Sequence, residues 1–174
     1  MMTFGDMVFI GMGSNLGDRA LNLRNAVVML DSHPAITIKA LSGTYETDPI
    51  GEVQGGAFLN AAASVSTALK PADLLKYLHQ IEKTMGRIRP PGVVAPRPID
   101  LDILLFGDLS MDSPELTIPH PRLRARRFVL EPLSELAPLL KIPGTDRTVG
   151  ETAREAEKKY PGQGIGPMGR LGDD

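Results

Sequence analysis

The string Pro96-Arg97-Pro98-Ile99-Asp100-Leu101-Asp102-Ile103-Leu104-Leu105-Phe106 constrains this chain more than any other stretch. Ile99, Leu101, Ile103 and Leu105 share one parity, and Asp100, Asp102, Leu104 and Phe106 the other. Side chains alternate faces along a strand, so the two aspartates project from one side, about 6.5–7 Å apart at Cα. Four aliphatics on the opposite face would anchor the strand in a core. Asp is depleted in strands because its short side chain bonds nearby backbone instead. Two like charges side by side also cost free energy unless a cation sits with them. A solvated edge strand is the plain alternative, and on the aspartates alone the two readings weigh evenly. The next residues on that face, Leu104 and Phe106, are apolar where a solvated edge would stay polar. This face reads as a pocket wall.

A chain of 174 residues is long enough for one domain with a substantial core, placed here at residues 1–160. The net charge of −2 gives no basic excess of the kind nucleic acid or an anionic membrane would select, so neither is expected as a partner. With no cysteine, disulfides, thiolate metal sites and cysteine nucleophiles are excluded. The longest early apolar run, residues 7–12, is too short for a signal-peptide core, and no segment approaches a membrane span. A cytoplasmic protein is the default expectation.

Residues 7–12 read as a buried strand. The loop 13–18 follows, then a helix over 19–31 with Leu23, Ala26, Val27 and Leu30 at helical spacing and Asp18 as N-cap. The early glycines do not make a dinucleotide fingerprint, because Leu16 stands where the last glycine is needed, and there is no G-x-x-x-x-G-K-[ST] loop. A strand from Ile36 is expected to continue, bent, to Tyr45 and Thr47. Residues 48–56 have the composition of a lid or of an ordinary hairpin connection. In the strand 58–65, Phe58 and Asn60 share a face: an aromatic and an amide two apart can stack and read a flat heterocycle, or be merely half-buried. Residues 71–85 form the clearest helix, with Leu74, Leu78, Ile81 and Met85 in one stripe. Glu82 beside that stripe opposes the helix dipole and needs either solvent or a cationic or donor partner. The loop 87–97 carries Arg87, Arg89 and Arg97, whose guanidinium forks suit phosphate oxygens or simply neutralise the aspartates. In the arginine run after His120, at least one side chain is expected to face inward. Residues 161–174, rich in glycine and proline, read as a disordered tail.

The order strand, helix, strand, strand, helix, strand is the split β-α-β-β-α-β unit of ferredoxin-like α+β folds, here with additional C-terminal helices. Its antiparallel sheet would carry helices on one face and the active site on the open one.

Six motifs in register resemble the 6-hydroxymethyl-7,8-dihydropterin pyrophosphokinase family. They are Gly13-Ser14-Asn15-Leu16-Gly17, Tyr45-x-Thr47, Phe58-Leu59-Asn60-Ala61, Ile81-Glu82-x-x-x-Gly86-Arg87, Pro96-Arg97-x-Ile99-Asp100-Leu101-Asp102 and Pro119-His120-Pro121-Arg122. The resemblance spans about residues 8–140. It implies transfer of the terminal pyrophosphate of ATP to the pterin hydroxymethyl group with release of AMP, in folate biosynthesis, using two Mg²⁺. By the same resemblance Asp100 and Asp102 would be the Mg²⁺ ligands, and Arg87, Arg97 and the aspartates the catalytic set. Arg87, Arg89, Arg97, His120 and Arg126 would hold ATP, with Glu82 and Ile103 lining the nucleotide site. Phe58 and Phe128 would sandwich the pterin, read at its edges by Asn60 and the backbone near Thr47 and Ile50. Val93 and Val94, Pro121 and His79 depart from some members of the family. A non-enzymatic ligand-binding module of the same fold is the rival reading; it would not need arginines converging on two aspartates. An RNA-binding sheet with Phe58 as platform is disfavoured by the charge. A monomer is expected.

Overall fold

The computed structural model describes residues 7–48, 55–88 and 95–171. Strand β1 (Val8–Ser14) leads into helix α1 (Arg19–Asp31), then β2 (Ile36–Leu41), β3 (Gly43–Thr47) and β4 (Phe58–Thr67). Helix α2 (Pro71–Thr84) and β5 (Asp100–Phe106) complete the split unit. A small ribbon of β6 (Met111–Asp112) and β7 (Thr117–Ile118) follows, then a 3₁₀ turn (Leu123–Ala125), α3 (Arg127–Leu136), α4 (Val149–Lys159) and β8 (Ile165–Arg170). The fold is α+β, with an open antiparallel sheet in the order β5-β1-β4-β3-β8 and β2 also paired to β4.

Strands β2 and β3 are the two halves of the bent strand expected between Ile36 and Thr47. Ser42 holds the corner: its N–H donates to the Ala62 carbonyl at 2.9 Å, and its hydroxyl accepts from the Ala62 N–H at 2.8 Å. Helices α1 and α2 bury Leu23, Ala26, Leu30, Leu74, Leu78 and Ile81 against Val8, Ile10, Met12, Leu101 and Ile103. Each large aliphatic buried this way contributes roughly 1.5–3 kcal/mol. Asp18 caps α1 as expected, accepting from the Leu21 N–H.

The other face is open only in part. There α3 and α4 pack Val129, Leu130, Leu133, Val149 and Ala153 onto Phe9, Leu104 and Leu105. The uncovered remainder of that face is the cavity described below. The strand parity read from the sequence also changes within β5. Ile10 pairs with Ile103 and Phe9 with Leu105, leaving Leu104 as an extra, bulged residue. Beyond it the faces exchange: Leu105 turns to the α3 side and Phe106 to the α1 side, the reverse of strict alternation.

Residues 165–170 overturn the expectation of a disordered tail. They form β8, the sheet's outer strand, paired with β3 from Gly43↔Arg170 to Thr47↔Ile165. Backbone pairing needs no apolar side chains, which is why composition misleads here. Pro167 is tolerated because β8 is an edge strand, and Gly169, at φ +126°, sits beside the register shift between Thr44 and Tyr45. The Glu135 carboxylate of α3 fastens the edge: it accepts from the Gly43 N–H (3.0 Å), the Tyr45 hydroxyl (2.8 Å) and Arg170 (2.9 Å). Burial beside that carboxylate pushes the Tyr45 hydroxyl up to about 12.

Candidate active site

The cavity, of about 460 Å³, opens on the face shared with α3. Its floor is β1, where Gly13 pairs with Asn60 on one side and Asp100 on the other, and Gly11 with Ala62 and Asp102. Alternation along β4 and β5 then raises Phe58, Asn60, Asp100 and Asp102 from one side of the sheet, with a strand of glycines between them. A Cβ on Gly13 would clash with Asn60 Oδ1 at 2.8 Å, and one on Gly11 would crowd the Leu104 side chain at 3.1 Å. Thr47 and Asp48 close one end; Arg97, Arg122, Arg126 and Phe128 supply the remaining wall. The Asn60 amide donates to Thr47 Oγ1 at 2.7 Å, which fixes its orientation.

The two aspartates have different surroundings. Asp100 accepts from Arg87 at 2.7 Å and from Arg97 at 3.1 Å. Burial works against its charge, but the two guanidiniums prevail and hold the carboxyl below the usual carboxylate range. Arg87 also pairs with buried Glu82, which supplies the partner that acid requires. The Asp102 side chain has no hydrogen bond or ion pair among the described residues. Burial, then the charges of Asp100 and Glu82, push it up to about 7. It is a carboxylate short of positive charge. Across the cavity, burial and Arg122 lower Arg126, a cation short of negative charge. Arg97 lies over the Phe58 ring at 5.0 Å and Arg126 over the Phe128 ring at 5.4 Å.

Thr47, Phe58, Asn60, Arg97, Asp100, Asp102, Arg126 and Phe128 therefore converge on one cavity. Arg87 and Glu82 stand behind Asp100 rather than in the lining. His120 sits beside the wall, its N–H donating to the Leu104 carbonyl and its Nδ1 accepting from the Arg122 N–H. Burial and the neighbouring Arg126 and Arg122 lower it to about 4, so its ring is neutral near pH 7. Ile103 is not brought to the cavity: alternation turns it into the α1/α2 core, where it is 2% exposed. Ile50, Arg89, Val93 and Val94 lie outside the described residues. Sequence reasoning missed Gly11, Gly13, Asp48 and the exposed Arg122 as lining residues, while the half-buried arginine of the run that lines the cavity is the expected Arg126. Two glycines of the same parity inside a strand were a usable signal of close approach.

Among the described residues no three acidic or histidine side chains gather as a ready-made metal cage. Asp100 and Asp102, Arg97 and Arg126, and Phe58 and Phe128 on one cavity are instead groups whose chemistry suits a phosphate chain beside a flat ring. Similarity to known proteins agrees. The family model for 7,8-dihydro-6-hydroxymethylpterin-pyrophosphokinase matches residues 9–138. The chain is 41% identical over 155 residues to the 2-amino-4-hydroxy-6-hydroxymethyldihydropteridine pyrophosphokinase of Bacillus subtilis, covering 89% of this chain and 90% of that one. It is also 41% identical to the protein of the same name from Methylorubrum extorquens, covering 90% and 95%. The HPPK-DHPS of Plasmodium falciparum solved with pteroate shares the fold, with a TM-score of 0.71 at 14% identity, over 90% of this chain and 45% of that one. The chain belongs to the 7,8-dihydro-6-hydroxymethylpterin-pyrophosphokinase family. It is a transferase of folate biosynthesis, and the non-enzymatic binding module is not favoured.

Proposed function

We propose that this cavity holds 6-hydroxymethyl-7,8-dihydropterin and the phosphate chain of ATP together, and that the pterin hydroxyl oxygen attacks the β-phosphorus. The bond from that phosphorus to the oxygen shared with the α-phosphate breaks, AMP leaves with the electron pair, and the hydroxyl proton passes to solvent water. The observation that carries this reading is the convergence of Asp100, Asp102, Arg97 and Arg126 on one cavity that also presents Phe58, Asn60 and Phe128.

Each group has a task set by its chemistry. Phe58 and Phe128 stack the pterin, while Asn60 and the chain around Thr47 read its edge. Arg97, Arg126 and, beyond the described residues, Arg89 draw in the phosphates, with Arg87 holding Asp100 in place and His120 and Glu82 supporting the nucleotide side. Asp100 and Asp102 fit Mg²⁺: hard carboxylate oxygens on one face, one of them lacking a cation, with phosphate and water to complete the coordination. Two Mg²⁺ ions bound there would neutralise phosphate charge and acidify the hydroxyl. The protein's own contribution is placement: holding the hydroxyl in line with phosphorus and excluding water. A monomeric, cytoplasmic enzyme suits small soluble substrates and a chain without cysteine.

The test is AMP release from ATP and Mg²⁺, with and without the pterin, for wild type, Asp100→Ala and Asp102→Ala. AMP that requires the pterin, and falls by orders of magnitude in both variants, is the expected result. Near-normal rates in either variant would remove the carboxylates from the metal site.

A further inference from the structure

Arg126 and Phe128 form a wall of the cavity, and the two backbone groups that flank Arg126, the Ala125 carbonyl and the Arg127 N–H, are bonded from far along the chain. Arg126 is the junction residue between the 3₁₀ turn and α3, in extended conformation at φ −122° and ψ 102°. Helix α3 has no side-chain cap of its own, so its first N–H groups lack the usual local acceptor. A residue from far along the chain fills that role. Gln163, in the turn between α4 and β8, accepts the Arg127 N–H on Oε1 at 3.0 Å and donates from Nε2 to the Ala125 carbonyl at 2.9 Å. One amide thus brackets Arg126, gripping the carbonyl before it and the N–H after it, as a neighbouring strand would. The Arg127 guanidinium returns the contact, donating to the Gln163 carbonyl at 3.0 Å. Gln163 is itself held by its N–H to the Tyr160 carbonyl at the end of α4, and by the β8–β3 pairing that begins two residues later.

We infer that Gln163 is a positioning residue for the substrate cavity: it fixes the backbone on either side of Arg126 and so sets where Arg126 and Phe128 meet the substrates. Gln163 touches neither substrate. It acts through the two hydrogen bonds that span the junction, so its removal loosens the wall without removing any group from it. The inference rests on the proposed roles of Arg126 and Phe128.

Gln163→Met keeps the length and bulk of the side chain and loses both hydrogen bonds; Gln163→Glu keeps the acceptor for the Arg127 N–H and loses the donor to Ala125. With Gln163→Met, KM for both pterin and ATP should rise, and kcat/KM should fall roughly tenfold or more, as displaced binding groups cost. Gln163→Glu should recover part of that loss. Amide exchange at Arg127 should be faster in the Met variant, a readout independent of activity. A residue that merely supported folding would lower the amount of active enzyme and leave KM unchanged. Wild-type KM values, or unchanged Arg127 exchange, in folded Gln163→Met would overturn the inference. Arg126→Ala and Phe128→Ala, measured alongside, separate the two failures. If they weaken neither substrate, the site reading falls and the inference with it; if they do while Gln163→Met does not, only the inference falls.

Discussion

Asp100 and Asp102 are two residues apart on one strand and differ because of what the fold brings to each. Arg87 and Arg97 grip the first, while at the second burial and the charges of Asp100 and Glu82 outweigh those of Arg126 and Arg87. Phe128 should be worth roughly 1–3 kcal/mol of pterin binding through stacking and burial; titrating the pterin into Phe128→Ala checks this, and an unchanged Kd would put the ring elsewhere. His120 carries a pH prediction. Its folded value of about 4 lies below the roughly 6.5 of a free imidazole, so below pH 6.5 the unfolded chain binds more protons than the folded one. The stability it contributes is present above that pH and is lost as pH falls toward about 4. Melting curves at pH 7 and pH 5 should show His120→Gln losing less Tm than wild type.

Strand β8 shows what an element can do without a hydrophobic face. It binds through backbone ladder bonds to β3, with Glu135 tying α3, Gly43, Tyr45 and Arg170 together. Glu135→Ala leaves the Gly43 N–H and the Tyr45 hydroxyl without their acceptor, at a cost of roughly 1–3 kcal/mol. Thermal unfolding should therefore show Tm lower by several degrees, since about 2–4 °C per kcal/mol is usual at this size. Removing residues 161–174 should lower both Tm and turnover, because it takes away β8 and Gln163 together. A truncated chain with wild-type Tm and rate would mean that the strand is dispensable. The bulge at Leu104 is the second lesson at this scale. Hydrophobicity cannot reveal it, because Leu104, Leu105 and Phe106 are all apolar and any of them suits either face.

At the scale of the molecule, the sheet has a core on each side, and the cavity lies where the second core stops. Helices α1 and α2 pack on one face; α3 and α4 cover only part of the other, and what remains is the cavity. The described residues assigned to the proposed reaction are drawn from one copy of the chain, and a monomer is the expected active form. Light scattering should accordingly return a mass near 18.7 kDa, and activity per mole should not vary with protein concentration. A stable dimer that loses activity on dilution would show that a second copy completes the site.

Much of this was readable from local pattern. Periodicity placed α1, α2, β4 and β5, and parity put Asp100 with Asp102, and Phe58 with Asn60, on shared faces, because alternation is a property of the backbone itself. Cavity walls built from different elements were not readable in that way. Parity had already put Ile103 on the core face, against the nucleotide-site position that the resemblance implied, but no local pattern says that Gly11 and Gly13 floor a cavity walled by α3. Tyr45 and Glu135 are 90 residues apart, and Gln163 lies 36 residues beyond the Arg127 amide it caps. Local sequence determined which residues could share a face. Only the packing of one element on another decided which faces meet, because hydrogen-bond donors and acceptors distant in the chain find each other through the assembled core.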